Sequence, residues 1–386
     1  MATVAGQDAD WRPQGDESDP VTAGIAPEGL RAALDEAEGR GGRWQLVVWK
    51  DDQLLVDRAS DTDGPDLFWA WSASKPVIAL LVWQLIEAGA IGVDDPVARW
   101  WPEFAVNGKQ DVTVRHLLQH RSGLPTGPGG QFADVAAMTD WRWSTHRLAR
   151  GTPKWAPGER SAYHYLSYGF ALGEVVRRVT GRELPELMRA QIFEPLALSN
   201  SYLGLPGTEL ARAVPLRVAA PGGRAVELLL NSARVRQAVI PAGGISTTAH
   251  DLARFYRAML AGGELDGARV ASAETIDQMR RQSSIDGEPD GLLHYPVRFG
   301  QGFQLGGPAV GWPAVEPFGH LSSRQAFGHN GSNVCVAWAD PEFGLVVTYL
   351  GSRVRGWQTD RTMLRRLADS LLAACRPATN DAVRWT

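Results

Sequence analysis

The sequence predicts an α+β protein: an antiparallel sheet built from both ends of the chain and flanked by helices, with a mostly helical domain inserted between them. Two observations carry the prediction. Strand-and-turn patterns lie near each end, and helical spacing fills most of the chain between them. Pro27 to Glu38 has helical periodicity and stops at Gly39. Trp44 to Lys50 and Gln53 to Arg58 are apolar, β-favouring runs around Asp51-Asp52, which reads as a hairpin. Pro76 to Glu87 is helical up to Gly89; Phe170 to Val179, Leu184 to Phe193 and Thr248 to Leu260 follow as further helices. Gly- and Pro-rich loops at 122–130, 204–207 and 306–319 separate these elements, and loops of that length tend to border sites. Asn333 to Ala339 and Leu345 to Leu350 flank Asp340-Pro341-Glu342-Phe343-Gly344, a second hairpin, and a terminal helix follows over about Trp357 to Cys375. The expected division is a flexible leader at 1–20, a sheet-bearing domain at 21–80 with 300–386, and a mostly helical domain at 81–299. The active site is expected where the two domains meet.

With 386 residues, 44% apolar and 21% charged, the composition is that of an ordinary globular chain. A net charge of −4 offers no basic footprint for nucleic acid and no polybasic patch for a membrane. The N-terminal stretch lacks a basic region followed by an apolar one, so it does not read as a secretory signal. The longest apolar run, Val77 to Ile86, is too short to span a bilayer. Two cysteines, Cys335 and Cys375, make no disulfide framework. A cytoplasmic protein acting on a small molecule, with no nucleic-acid or membrane partner, is the expectation; oligomeric state is not legible.

The stretch Ser72-Ala73-Ser74-Lys75 puts a hydroxyl and an amine three positions apart where a helix begins, so both side chains share one face. The chain has four lysines, and Lys75 alone has a serine three residues before it. An amine so placed can help remove the serine proton, which an isolated serine holds too tightly to attack a carbonyl. Taken alone, the same four residues also suit a plain helix start with Ser72 as cap. Other chemistries find less support. No serine has glycines two residues away on both sides, as an α/β-hydrolase elbow needs. His116 and His120 have zinc-helix spacing, but Leu117 stands where a metalloprotease carries glutamate, so a packed helix turn is the better reading.

Two further segments carry a family resemblance. Pro157-Gly158 followed by Tyr163 resembles the second motif of class C serine β-lactamases. With His164 and the run Gly173-Glu174-Val175-Val176-Arg177-Arg178, it is still more similar to family VIII carboxylesterases. Phe327-Gly328-His329-Asn330-Gly331-Ser332 resembles the edge-strand H-x-G motif that faces the serine across the cleft. Trp101-Pro102-Glu103-Phe104, Ser122-Gly123-Leu124-Pro125 and Pro241-Ala242-Gly243-Gly244-Ile245-Ser246-Thr247 match the esterase branch too, and the similarity runs from about residue 25 to 370. The resemblance implies a β-lactamase/transpeptidase-like fold, with Ser72 as nucleophile and Tyr163 as catalytic tyrosine beside Lys75. It also implies an oxyanion hole from the N–H groups of Ser72 and Ser332. His329, Asn330, Gly331, Tyr165, His164 and Trp155 are then expected at the substrate, and neither metal nor organic cofactor is required.

A free phenol titrates near about 10, so Tyr163 needs its anion stabilised to act as a base. A cationic Lys75 a few ångströms away is expected to do that, the two together taking the Ser72 proton. Two departures steer the substrate towards small carboxylic esters. The β-lactamase motif has an amide-binding asparagine where this chain has Tyr165, and a carboxylate-pairing lysine where it has His329. Transfer of the acyl group to an alcohol, residual β-lactamase or D-peptidase activity, and a non-catalytic binding role are the alternatives. Trp141, Trp143, Trp155 and Trp312 fall in segments expected to rim the cleft. Pro76, directly after Lys75, biases that residue away from helical geometry and is tolerable only in the first turn.

Overall fold

A computed structural model describes residues 12–60, 66–308, 310–311 and 316–375. Nine strands matter for the site: β1 (Trp44–Lys50), β2 (Gln53–Ala59), β3 (Phe68–Trp69), β4 (Tyr202–Leu203), β5 (Ile245–Thr247), β6 (Gln304–Leu305), β7 (Phe327–Gly331), β8 (Cys335–Asp340) and β9 (Leu345–Gly351). Six of them form one antiparallel sheet in the order β2-β1-β9-β8-β7-β6, so strands from the two ends of the chain meet at β1 and β9. Pleating alternates the side chains. Leu46 and Val48 join Val336, Trp338, Val347 and Tyr349 in one apolar cluster, while Val47 joins Ala337, Ala339 and Val346 in another on the opposite face.

Six helices position these layers: α1 (Pro27–Arg40), α2 (Lys75–Glu87), α3 (Ser167–Thr180), α4 (Gly223–Leu230), α5 (Ala249–Leu260) and α6 (Trp357–Ala374). Helices α1 and α6 cover the first face with Leu30, Leu34, Leu364, Leu367 and Leu371. An ion pair at 3.3 Å between Arg40 and Asp360, both almost fully buried, ties the end of α1 to the start of α6. Asp360 is further satisfied by the N–H groups of Arg355 and Gly356, as a buried charge must be. Helix α5 covers the second face with Phe255, Tyr256 and Met259, and Thr248 caps it by accepting the Asp251 N–H at 3.1 Å.

The structure moves two of the expected boundaries. Residues 12–20 are not a free leader: Glu17 is buried, accepts from the Asp57 N–H at 2.9 Å and pairs with Arg58 at 2.8 Å. The remainder of that leader, 1–11, lies outside the described residues. The division at 80 and 300 does not hold as drawn, because α2 runs through residue 80 and α5, from the middle of the chain, packs on the sheet. A small second sheet, in the order β3-β5-β4, also joins both parts. The helix expected over 184–193 is interrupted, an α-turn at Leu184–Met188 giving way to a π-turn at Arg189–Phe193. Helices Gly130–Ala137, Trp141–Arg150 and α4 are short and lacked a long periodic signature. Among the described residues no helix is long and apolar enough to cross a membrane.

Close backbone approach sets α3 against the loop that later proves to hold a lysine. A Cβ on Gly169 would lie 2.2 Å from the Ala242 nitrogen and 2.8 Å from the Pro241 carbonyl carbon. Gly169→Ala therefore has to displace backbone, and is expected to lower unfolding free energy by about 1–3 kcal/mol in urea titration.

Candidate active site

Ser72 enters the site through a strained turn. Strand β3 is held by β5, and the Ala70 N–H continues the pairing by donating to the Ile245 carbonyl at 2.9 Å. Trp71 then takes φ +49°, a left-handed conformation uncommon for a bulky residue, and a 3₁₀ turn over Trp71–Ser74 leads into α2. Ser74 is buried and its hydroxyl accepts the Ile245 N–H at 3.2 Å. Lys75 is the first residue of α2 with φ −60° and ψ −42°, so Pro76 falls at the second position. The N–H that Pro76 lacks has no intrahelical partner there in any case, which explains how the lysine keeps helical geometry.

Three groups converge on one oxygen. The Tyr163 hydroxyl donates to Ser72 Oγ at 2.7 Å, and Lys75 Nζ lies 3.1 Å from the same atom. Lys75 Nζ also donates to the Ala242 carbonyl at 3.1 Å and sits 4.6 Å from the centre of the Tyr163 ring. Burial drives the Lys75 amine well below its ordinary value of 10.5. Burial likewise raises the Tyr163 phenol above its ordinary 10.0, outweighing the hydrogen bond to Ser72. Burial thus opposes the expected ion pair, pushing the Lys75 amine towards its neutral form and holding the proton on the Tyr163 phenol.

Tyr163 is anchored by a residue that the sequence did not reveal. The buried Asp290 accepts the Tyr163 N–H with both oxygens, at 3.0 and 2.8 Å, and the N–H groups of Leu292 and Leu293 at 2.9 Å. It lies far along the chain in a loop without a motif. The neighbouring residues alternate. Tyr163 and Tyr165 line a cavity, while His164 points the other way, bonded to Ser122 Oγ at 2.5 Å and to the Ala162 carbonyl at 2.7 Å. His164 is thus a packing residue, not a substrate contact. Trp155 also lies outside the cavities, under the Arg160 guanidinium and near Gly291, because its loop folds back onto 121–123 through the Lys154 and Gly158 N–H groups. His120 is off the helix that carries His116, with φ +58° and its ring against Tyr163, Tyr168 and Phe299. Among the described residues no cluster of His, Cys, Asp or Glu is arranged to hold a metal ion.

The facing wall is a tight hairpin. Ser332 and Asn333 both have positive φ, +53° and +55°, and the Val334 N–H closes the turn on the Gly331 carbonyl at 2.9 Å. Asn330 clasps this turn, its side chain accepting the Asn333 N–H at 2.8 Å and donating to the Asn333 amide oxygen at 2.9 Å. Gly331 permits the approach to the serine turn, since a Cβ there would lie 2.6 Å from the Ala70 carbonyl oxygen. It contacts backbone, not cavity. His329 lines the cavity; its Nδ1 bonds to the Asn330 carbonyl at 2.8 Å and its Nε2 has no partner among the described residues. Burial lowers it to about 3, so it is neutral.

Ser72 and Ser332 border two cavities, one of about 400 Å³ and one of about 550 Å³. Of the expected tryptophans, Trp141 packs on Phe170, Trp143 faces solvent and Trp312 lies outside the described residues. The cavities carry Trp69, Trp71 and Trp357 instead.

Residues 32–372 match the family described as Beta-lactamase. The chain belongs to the beta-lactamase family. Beta-lactamase-family relatives include the "Esterase/beta-lactamase LipL" of Mycobacterium tuberculosis, 30% identical over an alignment of 356 positions that covers 82% of this chain and 78% of that protein. A penicillin-binding protein homologue from Caulobacter crescentus has a similar structure, with a TM-score of 0.75 and 28% identity over 93% of this chain and 99% of that one. A family VIII carboxylesterase structure matches at a TM-score of 0.74 and 26% identity, over 94% and 99% of the two chains. The β-lactamase/transpeptidase-like fold expected from the sequence is thereby found.

The dry lysine has a measurable consequence. Its folded pKa lies below its unfolded one, so below pH 10.5 the unfolded chain binds the extra proton and stability rises with pH. Lys75→Met is expected to gain on the wild type at pH 7, with the gain shrinking towards pH 10 in paired urea titrations. An equal difference at both pH values would show that Lys75 stays charged.

Proposed function

We propose that this serine hydrolase cleaves small carboxylic esters through an acyl-enzyme on Ser72. The observation that carries the proposal is the convergence on Ser72 Oγ of the Tyr163 hydroxyl, at 2.7 Å, and the Lys75 amine, at 3.1 Å, whose affinity for a proton burial lowers. Lys75 donates one N–H to the Ala242 carbonyl, and in its neutral form it has a lone pair to take the serine proton. As that proton moves to Lys75, Oγ bonds to the ester carbonyl carbon. The oxyanion lies between the Ser72 and Ser332 N–H groups, neither of which has a hydrogen-bond partner among the described residues. When the carbon–oxygen bond to the alcohol breaks, Tyr163 gives its proton to the departing oxygen and is reprotonated from Lys75. Water then attacks the acyl carbon and gives one proton to Lys75; the bond from Ser72 Oγ to that carbon breaks, the proton passes on to Oγ, and the carboxylic acid leaves.

Esters are favoured over lactams by two side chains. Tyr165 offers a ring, not an amide, to the substrate, and neutral His329 supplies no cation for a lactam carboxylate. The similar structure named a family VIII carboxylesterase supports the same substrate class.

Turnover of nitrophenyl acetate and butyrate, with nitrocefin alongside, tests this. Ser72→Ala is expected to lower ester turnover by about 10⁴-fold or more. Nitrocefin is expected to turn over more slowly than either ester, and product analysis with added alcohol separates hydrolysis from acyl transfer. Ester activity that survives in the alanine variant overturns the assignment of Ser72.

A further inference from the structure

We propose that the 550 Å³ cavity binds the acyl chain of the ester and that the 400 Å³ cavity takes its alcohol, so the preferred substrates carry an apolar acyl chain well beyond acetyl. Resting on the roles proposed above for Ser72 and Tyr163, the direction follows from where the protons go. Ser72, Gln131, Tyr165 and Ser332 border both cavities and form the neck between them, whereas Tyr163 borders only the smaller one. A departing alcohol has to lie against the hydroxyl that protonates it, hence on the Tyr163 side. The remaining substituent of the tetrahedral carbon, the acyl chain, is then directed into the other cavity.

The linings match that division. Among the described residues, the larger cavity has no charged side chain; its walls are residues such as Trp69, Trp71, Leu216, Leu230 and Ile240. The smaller cavity has Gln304, His329, Asn333, Glu316 and Arg361, which suit a hydroxylated or polar alcohol. Helix α4 supplies one wall of the acyl site with Val226, Leu229 and Leu230, three residues on one helical face. At the mouth, Phe132 is 93% exposed and Val226 44%, so a chain that outgrows the cavity still meets apolar surface on its way out. A cavity of this size and lining would be wasted on an acetyl group.

Two chain-length series separate this site from the activity it serves. Nitrophenyl esters from acetyl to dodecanoyl are expected to gain about fourfold in kcat/KM per added CH₂ until the cavity is full, the fold-change for about 0.8 kcal/mol per buried CH₂. Acetate esters of lengthening straight-chain alcohols are expected to show no such rise. In Val226→Trp and Val218→Trp, which fill the larger cavity, the decanoyl-to-acetyl ratio is expected to fall at least tenfold, and acetyl turnover in the same protein reports an intact Ser72 centre. A flat or falling acyl series, or a rise in the alcohol series instead, overturns the assignment while leaving esterase activity in place. Calorimetric binding of octanoate and decanoate to Ser72→Ala reads the cavity without chemistry. Tighter binding with length that Val226→Trp abolishes supports the acyl site even where no ester is turned over, and absence of binding overturns it.

Discussion

The dryness of one amine governs this molecule. Lys75 lies at the start of a helix whose next eight residues are buried, under the ring of Tyr163 and against the Ala242 carbonyl, with no carboxylate among the described residues in contact. An ammonium there would have to be desolvated without a counter-charge, so burial favours the neutral form. That bias sets the direction of proton flow, since an amine with a free lone pair can take the Ser72 proton while the phenol keeps its own for the departing group. Every neighbour that excludes water from this point, including Gly169 by letting α3 approach the 241–242 loop, therefore acts on the chemistry as well as on the packing.

The site is assembled from segments that are remote in the chain and individually rigid. Ser72 is fixed by β3 and β5, Tyr163 by the Asp290 carboxylate, and Ser332 by a turn that Asn330 clasps from within its own strand. Two of these supports keep residues at positive φ: Trp71, on the wall of the larger cavity, and Ser332, in the neck between the two. Strained backbone of this kind persists only where its surroundings over-determine it, and here the surroundings are the sheet edge and the small three-stranded sheet.

The sequence carried the parts of this arrangement that repeat locally. Trp44–Lys50 alternates strand residues around an Asp-Asp turn, Pro27 and Pro76 mark helix starts, and the Ser72–Lys75 spacing follows from helical geometry alone. Boundaries failed where the deciding contact is distant. Glu17 is ordered by Arg58, and α5 is drawn to the sheet by its apolar face, neither of which leaves a local signal. At the site, alternation in an extended segment was enough to separate Tyr163 and Tyr165 from His164, had the period been applied there. Asp290 was not legible, because its partners are backbone N–H groups and impose no pattern on the residues that bear them. The proton balance was not legible for a related reason: spacing brings Ser72 and Lys75 together, but only the burial around Lys75 and Tyr163 says which way each pKa moves.

The adjacency of β1 and β9 has a consequence for how the chain comes into being. Strand β1 is made roughly three hundred residues before its neighbour in the finished sheet, Leu345–Gly351. At about 5–20 residues per second, on the order of tens of seconds separate the two, during which the β1–β2 hairpin has an unpaired apolar edge. A nascent chain of this topology is thus exposed to edge-to-edge association until Leu345–Gly351 is made, so the sheet closes long after its first strands exist. Production of this protein should then depend less on its final stability than on how quickly, and in what company, that strand arrives.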